Sequence, residues 1–158
     1  MRRKDREVTD RNGIEKILNQ CKTCHLAMVD NGSPYLVPLS YGYRILAGHV
    51  LELFFHSARE GRKINVLKRN NRVCFTMTHR GGLARSGAPC GFGYSFSSVI
   101  GSGEAVFIDD IDEKRKALSV MFKHQAGTDV TFTAEQARDV CVFKVVSADF
   151  TGKTKPEP

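Results

Sequence analysis

The chain has 158 residues, enough for one domain with a hydrophobic core. Its composition, 41% hydrophobic and 26% charged, is that of a folded globular protein, and its net charge of +7 favours anionic partners. No basic run is interleaved with aromatic residues, no apolar run reaches about 20 residues, and no hydrophobic segment follows the basic start. We therefore expect a cytoplasmic protein that binds neither nucleic acid nor membrane.

The first third of the chain predicts a helix followed by a hairpin and another strand. The helix covers about 10–22, with Asp10 as its cap and apolar residues at helical spacing. Residues 25–44 predict two strands around an Asn-Gly turn, and Pro38 in the second of them favours an edge position. Residues 49–57 alternate between two faces as a strand does.

A second helix is predicted directly after that strand. Ser57 and Glu60 have the spacing of a capping box, Ile64 and Leu67 would form the buried stripe, and an Asn-Asn pair would end the helix.

The middle of the chain predicts two strands joined by a long loop. Residues 72–79 form the first strand, and the glycine-rich stretch 80–93 predicts a loop of a length that is often functional. Residues 94–108 predict a long strand, in which Gly101 and Gly103 indicate a bulge or a close backbone approach.

The last third predicts a helix over 109–125, a short helix with Thr133 and Gln136 as a capping box, and a final strand over 140–153. The element order predicts an α+β protein, mainly an antiparallel β-barrel with peripheral helices. We expect one domain over 1–152 and a loose tail over 153–158.

Residues 21–26 read CKTCHL, which is the attachment signature of c-type haem and the start of a zinc or thiol-redox site. Covalent haem requires export, and a zinc site requires a second ligand pair, which Cys74, Cys90 and Cys141 do not supply. The favoured interpretation is a junction between helix and strand, with a redox or metal role as the alternative. No metal site is expected.

Two stretches of the sequence have features of a phosphate-binding site. Residues 91–96, GFGYSF, lack the third glycine of a dinucleotide fingerprint and precede a strand, so they are rejected. In residues 56–64, HSAREGRKI, a strand ends in polar residues and leads into a helix N-terminus that carries Arg59, Arg62 and Lys63. Such a terminus favours an anion, although this stretch taken alone favours a capped helix with a solvated basic face.

His56 lies at a strand end, where a lone histidine is more often structural. Beside a cofactor ring it would suit proton transfer. Ser95, Ser97 and Ser98 could bind polar groups of a cofactor or form an outer barrel face.

Together these stretches resemble the pyridoxamine 5'-phosphate oxidase-like split-barrel flavoproteins, closest to the nitroimidazole-resistance (Nim-type) branch. The resemblance is carried in order by MRRKDREVTD, IEKIL, HLAMVDNGSPYLVPLSYGY, LELFFHSAREGRKINVLKRNNRVCF, YSFSSVIGSGEAVFIDDIDEKRKAL and VCVFKVVSADFTGK, nearly the whole chain.

The resemblance implies a split β-barrel and a homodimer with FMN at the interface. Three stretches match the cofactor-binding segments of that family. They imply contacts with FMN from Val37, Pro38, Leu39, Ser40, Phe55, His56, Ser57, Arg62, Lys63, Ser97, Ser98, Val99 and Ile100. A histidine at the place of His56 belongs to the active centre in the Nim-type branch, so His56 is the candidate catalytic residue.

The C-terminal residues TGKTKPEP lack the arginines and histidine that bind pyridoxal in the oxidases, which argues against vitamin B6 oxidation. The resemblance therefore implies an FMN-dependent oxidoreductase that passes electrons to a small acceptor such as a nitro-aromatic or a quinone. The alternatives are a non-enzymatic flavin-binding or redox-sensing protein, and a non-covalent haem protein with His25, His56 or His124 as axial ligand.

Overall fold

The computed structural model describes residues 3–85 and 87–155. Besides two short 3₁₀ turns, Lys4–Arg6 and Pro89–Gly91, these residues form eight strands and four helices. In chain order they are β1 (Glu7–Val8), α1 (Arg11–Gln20), β2 (Thr23–Asp30), β3 (Ser33–Ser40), β4 (Gly42–Leu46), β5 (Val50–Ser57), α2 (Arg62–Arg69), β6 (Arg72–Ala84), β7 (Gly93–Ile108), α3 (Ile111–Ala126), α4 (Ala134–Arg138) and β8 (Cys141–Lys155).

The strands form one antiparallel sheet in the order β3-β2-β6-β7-β8-β5-β4, and β1 pairs with β8. The chain passes directly from β3 to β4, the two ends of this order, and β3 also contacts β5. The sheet therefore curls into a barrel that is split between β3 and the β4–β5 pair. The prediction of an α+β, mainly antiparallel split β-barrel with peripheral helices is confirmed.

The β2–β3 hairpin follows the sequence prediction. Asn31 and Gly32 form its two-residue turn with φ angles of 51° and 81°, the positive values that favour Asn-Gly. Pro38 lies in β3, which is an edge strand where its missing N–H leaves no gap in a ladder.

Two apolar clusters hold the fold together. The larger fills the barrel and includes the stripe of α1, Ile14, Ile17 and Leu18. The smaller lies outside, where α3 and α4 cover one face of β5 and β8 through residues such as Phe54 and Met121. Strand β5 is therefore buried on both faces, and its last residues emerge at the edge of the α3–α4 cover.

The predicted start of α2 is wrong. The helix begins at Arg62, its N-cap is Gly61 at a φ of 137°, and no side chain caps it. Ser57 is the last residue of β5 and accepts a hydrogen bond from Lys63, so it does not cap the helix. A glycine replaces the capping box because the turn needs a positive φ that Ser57 and Glu60 cannot supply. The buried stripe and the end at Asn70 are confirmed.

The predicted loop over 80–93 is shorter than expected. β6 continues to Ala84 and β7 begins at Gly93, so the two strands extend as a hairpin beyond the barrel with a register shift between Arg80 and Leu83. Backbone pairing tolerates the glycines that favoured a loop. Ser86 lies outside the described residues.

The bulge in β7 is confirmed, since the register with β8 shifts between Ser102 and Glu104. At Gly103 a Cβ would collide with the carbonyl oxygen of Val146, so the close approach needs glycine. The caps at Asp10 and Thr133 are also confirmed. β8 continues to Lys155, so 153–155 are strand and not tail, and 156–158 lie outside the described residues.

Candidate functional site

Two predicted site residues meet at the mouth of one cavity. Ser40 ends β3 and His56 is the penultimate residue of β5, and both line a cavity of about 410 Å³ beneath α3 and α4. We call this the His56 cavity. Its other lining residues are Leu118, Met121, Phe122, Gln125, Phe132, Gln136 and Val140.

Some polar side chains of the His56 cavity are engaged in hydrogen bonds within the protein, and others are not. The amide nitrogen of Gln125 donates to the carbonyl oxygens of Tyr41, at 2.7 Å, and Lys22, while the amide oxygen of Gln136 accepts from the Thr133 N–H. Within the described residues, Ser40 and His56 make no side-chain hydrogen bond. An apolar cavity with a free hydroxyl and a free imidazole at its mouth is the usual arrangement of a small-molecule site.

Next to His56, a cation and a hydroxyl are held together. The ammonium of Lys63, in the first turn of α2, donates a 2.6 Å hydrogen bond to the Ser57 hydroxyl. Ser57 is 6% exposed and Lys63 is half-buried. The pair lies where β5 leads into α2, and the helix dipole adds positive potential there.

Further lysines surround this position. Cys141 is the β8 partner of Ser57, and burial raises the pKa of its thiol. The positive charges of Lys114, Lys68 and Lys63 oppose that rise and the negative charge of Asp109 adds to it, so three cations and one carboxylate lie near the thiol. The end of β5 therefore faces a concentration of positive charge suited to an anion.

Arg62 has a different role from Lys63. Its Nε donates to the Asp30 carboxylate at 2.9 Å, and its guanidinium lies 4.2 Å from the centre of the Tyr35 ring. Arg69 binds the other oxygen of Asp30 at 2.6 Å, and the hydrogen bond from Arg62 is the main reason that the pKa of Asp30 lies below its usual range. Arg62 therefore ties α2 to the end of β2, which leaves Lys63 as the freer cation.

The other residues predicted to contact the cofactor divide between the inner and the outer face of the barrel. Phe55 and Val99 are completely buried, and Val37 and Leu39 pack against the core inside the barrel. Their side chains face away from any groove on the outside. A ligand there could reach these positions only through the main chain.

Pro38 and Ile100 belong to an outer row that crosses four strands. The partners in the ladder run Pro38, His25, Thr76 and Ile100, and all of these side chains point out of the barrel. One row further along, Ser98 lies between Thr78 and Lys153. We call the outward surface of β3, β2, β6 and β7 the outer sheet face.

Ser97 points the other way from Ser98. It lines a separate cavity beside α1, and two strands, β6 and β2, lie between β7 and β3. One protomer thus places Ser40 and His56 on one cavity and joins Ser57 to Lys63 at the end of the same strand, β5, whereas the β7 residues line neither.

The CKTCHL stretch is a junction, as its favoured interpretation states. Cys21 caps the C-terminus of α1, Cys24 is buried in β2, and His25 is exposed. Burial raises the pKa of these thiols, to about 11 for Cys21 and about 12 for Cys24, which opposes thiolate chemistry. Within residues 3–85 and 87–155, no group of three or more His, Cys, Asp or Glu side chains converges as a metal site.

His124 is committed to the fold. One ring nitrogen is 2.9 Å from the Cys21 carbonyl oxygen, the ring packs against Tyr41 and Tyr43, and burial lowers the pKa of the imidazole. It is therefore poorly placed as a haem ligand. In the described part of the chain, no helix has the length and apolarity to cross a membrane.

Comparison with known proteins identifies the family of the chain. The family profile of pyridoxamine 5'-phosphate oxidase matches residues 10–154. The chain belongs to this family.

A solved structure of a proposed 5-nitroimidazole antibiotic resistance protein from Bacteroides thetaiotaomicron is 33% identical over 94% of this chain and 86% of its own, with a TM-score of 0.79. Two further structures share the fold. The flavocytochrome Anf3 from Azotobacter vinelandii is 20% identical over 100% of this chain and 73% of its own, with a TM-score of 0.79. An FAD and heme binding protein from Mycobacterium smegmatis is 16% identical over 97% and 75%, also with a TM-score of 0.79. No curated protein matches the chain.

Sequence reasoning missed the far wall of the His56 cavity. Met121, Gln125, Phe132 and Gln136 come from α3, α4 and the segment between them, which are distant in sequence from β3 and β5. The apolar stripe of α3 was visible in the sequence, but nothing there shows that a cavity remains between it and His56.

Proposed function

We propose that the protein binds FMN and works as an oxidoreductase that passes electrons from reduced FMN to a small acceptor such as a nitro-aromatic or a quinone. One observation carries the proposal: two consecutive residues at the end of β5 bear the Lys63–Ser57 hydrogen bond and the free imidazole of His56, which lines a cavity with Ser40.

The phosphate end is the best-supported part. A phosphate dianion beside α2 would accept hydrogen bonds from the Lys63 ammonium and the Ser57 hydroxyl, which already lie 2.6 Å apart. The nearby positive charges of Lys68 and Lys114 favour a dianion over a neutral group. The residues present thus fit the phosphate of FMN.

The His56 cavity supports an aromatic acceptor. Its lining is mostly apolar, with Phe122 and Phe132 in edge contact at 6.1 Å between ring centres, and its volume suits a one- or two-ring molecule. Bound FMN would supply two electrons. His56 is the free imidazole at the mouth, so it would donate a proton to the acceptor oxygen that those electrons reduce.

A second copy of the chain would complete the site. The outer sheet face exposes Leu36 at 58%, Ile100 at 52% and Val29 at 47%, and no described helix covers it. An open apolar face of this kind favours association. In a homodimer, Ser98 and Ile100 of one protomer could meet the cofactor held by β3 and β5 of the other, which joins residues that one protomer keeps apart.

The absorption spectrum of the purified protein tests the proposal. We expect flavin bands, release of FMN and not FAD on denaturation, and turnover of a quinone or nitro-aromatic with a reduced nicotinamide nucleotide above the rate of free FMN. A colourless protein that fails to bind added FMN would refute it. FMN binding without turnover would favour the non-enzymatic alternative, and a Soret band would favour haem.

The dimer has its own test with a matched control. Ile100→Lys should shift the mass measured by light scattering to that of a monomer and weaken FMN binding. Val106→Lys changes another apolar residue of β7, 43% exposed, which lies beyond the stretch of β7 that pairs with β6 and so outside the four-stranded part of the outer sheet face. It should leave both unchanged. A wild-type protein that is monomeric with FMN bound would exclude the dimer.

A further inference from the structure

A second cavity lies beside α1 and shares no lining residue with the His56 cavity. It has a volume of about 520 Å³ and opens between α1 and the ends of β6, β7 and β8. We call it the α1 cavity. The polar side chains that carry the argument are Lys16, His79, Ser95, Ser97, Thr154 and Lys155.

The charges of the α1 cavity are unbalanced. Lys16 and Lys155 make no ion pair with any described residue, whereas most other basic side chains that line cavities are paired, such as Arg11 with Glu15 and Lys123 with Asp129. The only carboxylate in the lining is Asp10, which accepts the Gly13 N–H at 2.8 Å as the cap of α1. Two unpaired ammonium groups therefore face a site whose single anion is already engaged.

The Lys155 ammonium lies beside Gly93. A Cβ at residue 93 would lie 2.5 Å from the Lys155 Nζ, so the glycine there leaves the space that the ammonium occupies. The N-terminus of α1 borders the same cavity through Gly13 and adds positive potential.

Hydroxyl groups line the other wall. Ser95 is only 3% exposed, and its hydroxyl makes one long hydrogen bond of 3.3 Å to the Gly82 carbonyl oxygen. The hydroxyls of Thr154 and Ser97 are 3.4 Å apart. Each of these groups keeps free capacity to bind a ligand that carries hydroxyl or phosphate oxygens.

We propose that the α1 cavity binds a small phosphomonoester, with the phosphate between Lys16 and Lys155 and the hydroxyls of its carbon skeleton against Ser95, Ser97 and Thr154. The volume suits a sugar phosphate or a similar molecule. Two ammonium groups in one lining favour a dianion over a carboxylate, because both can interact with the charge of the dianion. The site does not depend on the flavin function, since none of its groups belongs to the Lys63–Ser57 pair or to the His56 cavity.

Titration of the full-length protein as purified with glycerol 3-phosphate tests this, with glycerol as the uncharged reference. We expect saturable binding by calorimetry, amide shifts in ¹H–¹⁵N spectra that cluster at 93–97 and 154–155, and no such shifts with glycerol. The double variant Lys16→Gln/Lys155→Gln should bind about tenfold more weakly or worse, because charge-assisted hydrogen bonds are lost. The control Lys4→Gln/Lys116→Gln removes equal charge elsewhere and should bind normally.

Three results would overturn the proposal: no saturable binding, equal binding by the Lys16→Gln/Lys155→Gln variant, or displacement of glycerol 3-phosphate by FMN. Displacement would mean that the ester occupies the phosphate position beside Lys63. The Lys63→Gln variant separates the two sites, since it should weaken FMN binding and leave glycerol 3-phosphate binding intact. A protein that binds no FMN would refute the flavin function without touching this site.

Discussion

Lys63 and Ser57 lie six positions apart in sequence and are joined by a 2.6 Å hydrogen bond from ammonium to hydroxyl. This contact fixes the first turn of α2 against the last residue of β5. Ser57, which the sequence pattern predicts to cap the helix, instead accepts a hydrogen bond from the Lys63 ammonium.

The first prediction concerns this pair. Lys63→Met and Ser57→Ala should each weaken FMN binding by roughly 1.5–3 kcal/mol, and less than additively together, because both would serve one phosphate. Fluorescence titration measures the dissociation constants. Riboflavin lacks the phosphate and should bind equally to all variants, and Lys4→Gln is the exposed control. Unchanged FMN affinity would place the phosphate elsewhere.

The second prediction concerns His56. His56→Gln keeps a hydrogen-bonding group but removes the proton donor, so turnover of a quinone should fall roughly 100-fold. FMN affinity should stay within about twofold, since the phosphate contacts remain. Steady-state kinetics and flavin titration measure the two effects. If turnover and its pH profile match those of the native protein, His56 has no part in proton transfer.

The third prediction concerns the far wall of the His56 cavity. Phe122 is 41% exposed and lines this cavity, so Phe122→Trp fills part of it without disturbing the core. The KM for an aromatic acceptor should rise several-fold while FMN affinity is unchanged. Phe92→Trp alters an aromatic residue that is 50% exposed outside the cavity, and its KM should be native. Equal KM values for both variants would show that the acceptor binds elsewhere.

The fourth prediction concerns the thiols. At pH 8, iodoacetamide should label the exposed Cys90 in the folded protein and leave Cys21 and Cys24 unlabelled, as read by mass spectrometry. Rapid labelling of Cys24 would contradict its burial.

The same thiols predict a loss of stability at alkaline pH. The pKa of Cys21 is raised from 9.0 to about 11 because burial disfavours the thiolate. Above about pH 9 the unfolded chain releases a proton that the folded protein keeps, so the free energy of unfolding falls as pH rises through this range. Denaturant unfolding at pH 8 and pH 10 measures it, and Cys21→Ala should reduce the pH-dependent part. An equal loss in the variant would assign the effect to other groups.

Much of the fold was predictable because local patterns and tertiary packing agree. The Asn-Gly turn, the caps at Asp10 and Thr133 and the β7 bulge each depend on a few neighbouring residues, and the structure confirms them. The predicted α2 cap was wrong because Ser57 pairs with Cys141 in the sheet and the following turn uses Gly61 at a positive φ. The predicted 80–93 loop was wrong because pairing between β6 and β7 overrode the local preference of its glycines.

The candidate site was likewise predictable only in part. The polar end of β5 and the basic start of α2 were readable as a candidate anion site, and the structure joins Lys63 to Ser57 there. The pairing of Arg62 with Asp30 was not readable, because 32 residues separate them and only the packing of α2 against β2 brings them together.

The sequence by itself determined the class of fold, the family resemblance and the stretches that matter, because alternation, capping and turn residues act over short distances. Only the tertiary structure decided which side of each strand those residues occupy. A side chain turns to the opposite face with each step along a strand, so Ser97 lines the α1 cavity while Ser98 lies on the outer sheet face, and Cys24 is buried beside an exposed His25. The His56 cavity and the α1 cavity exist because helices distant in sequence pack against these strands and leave space between them.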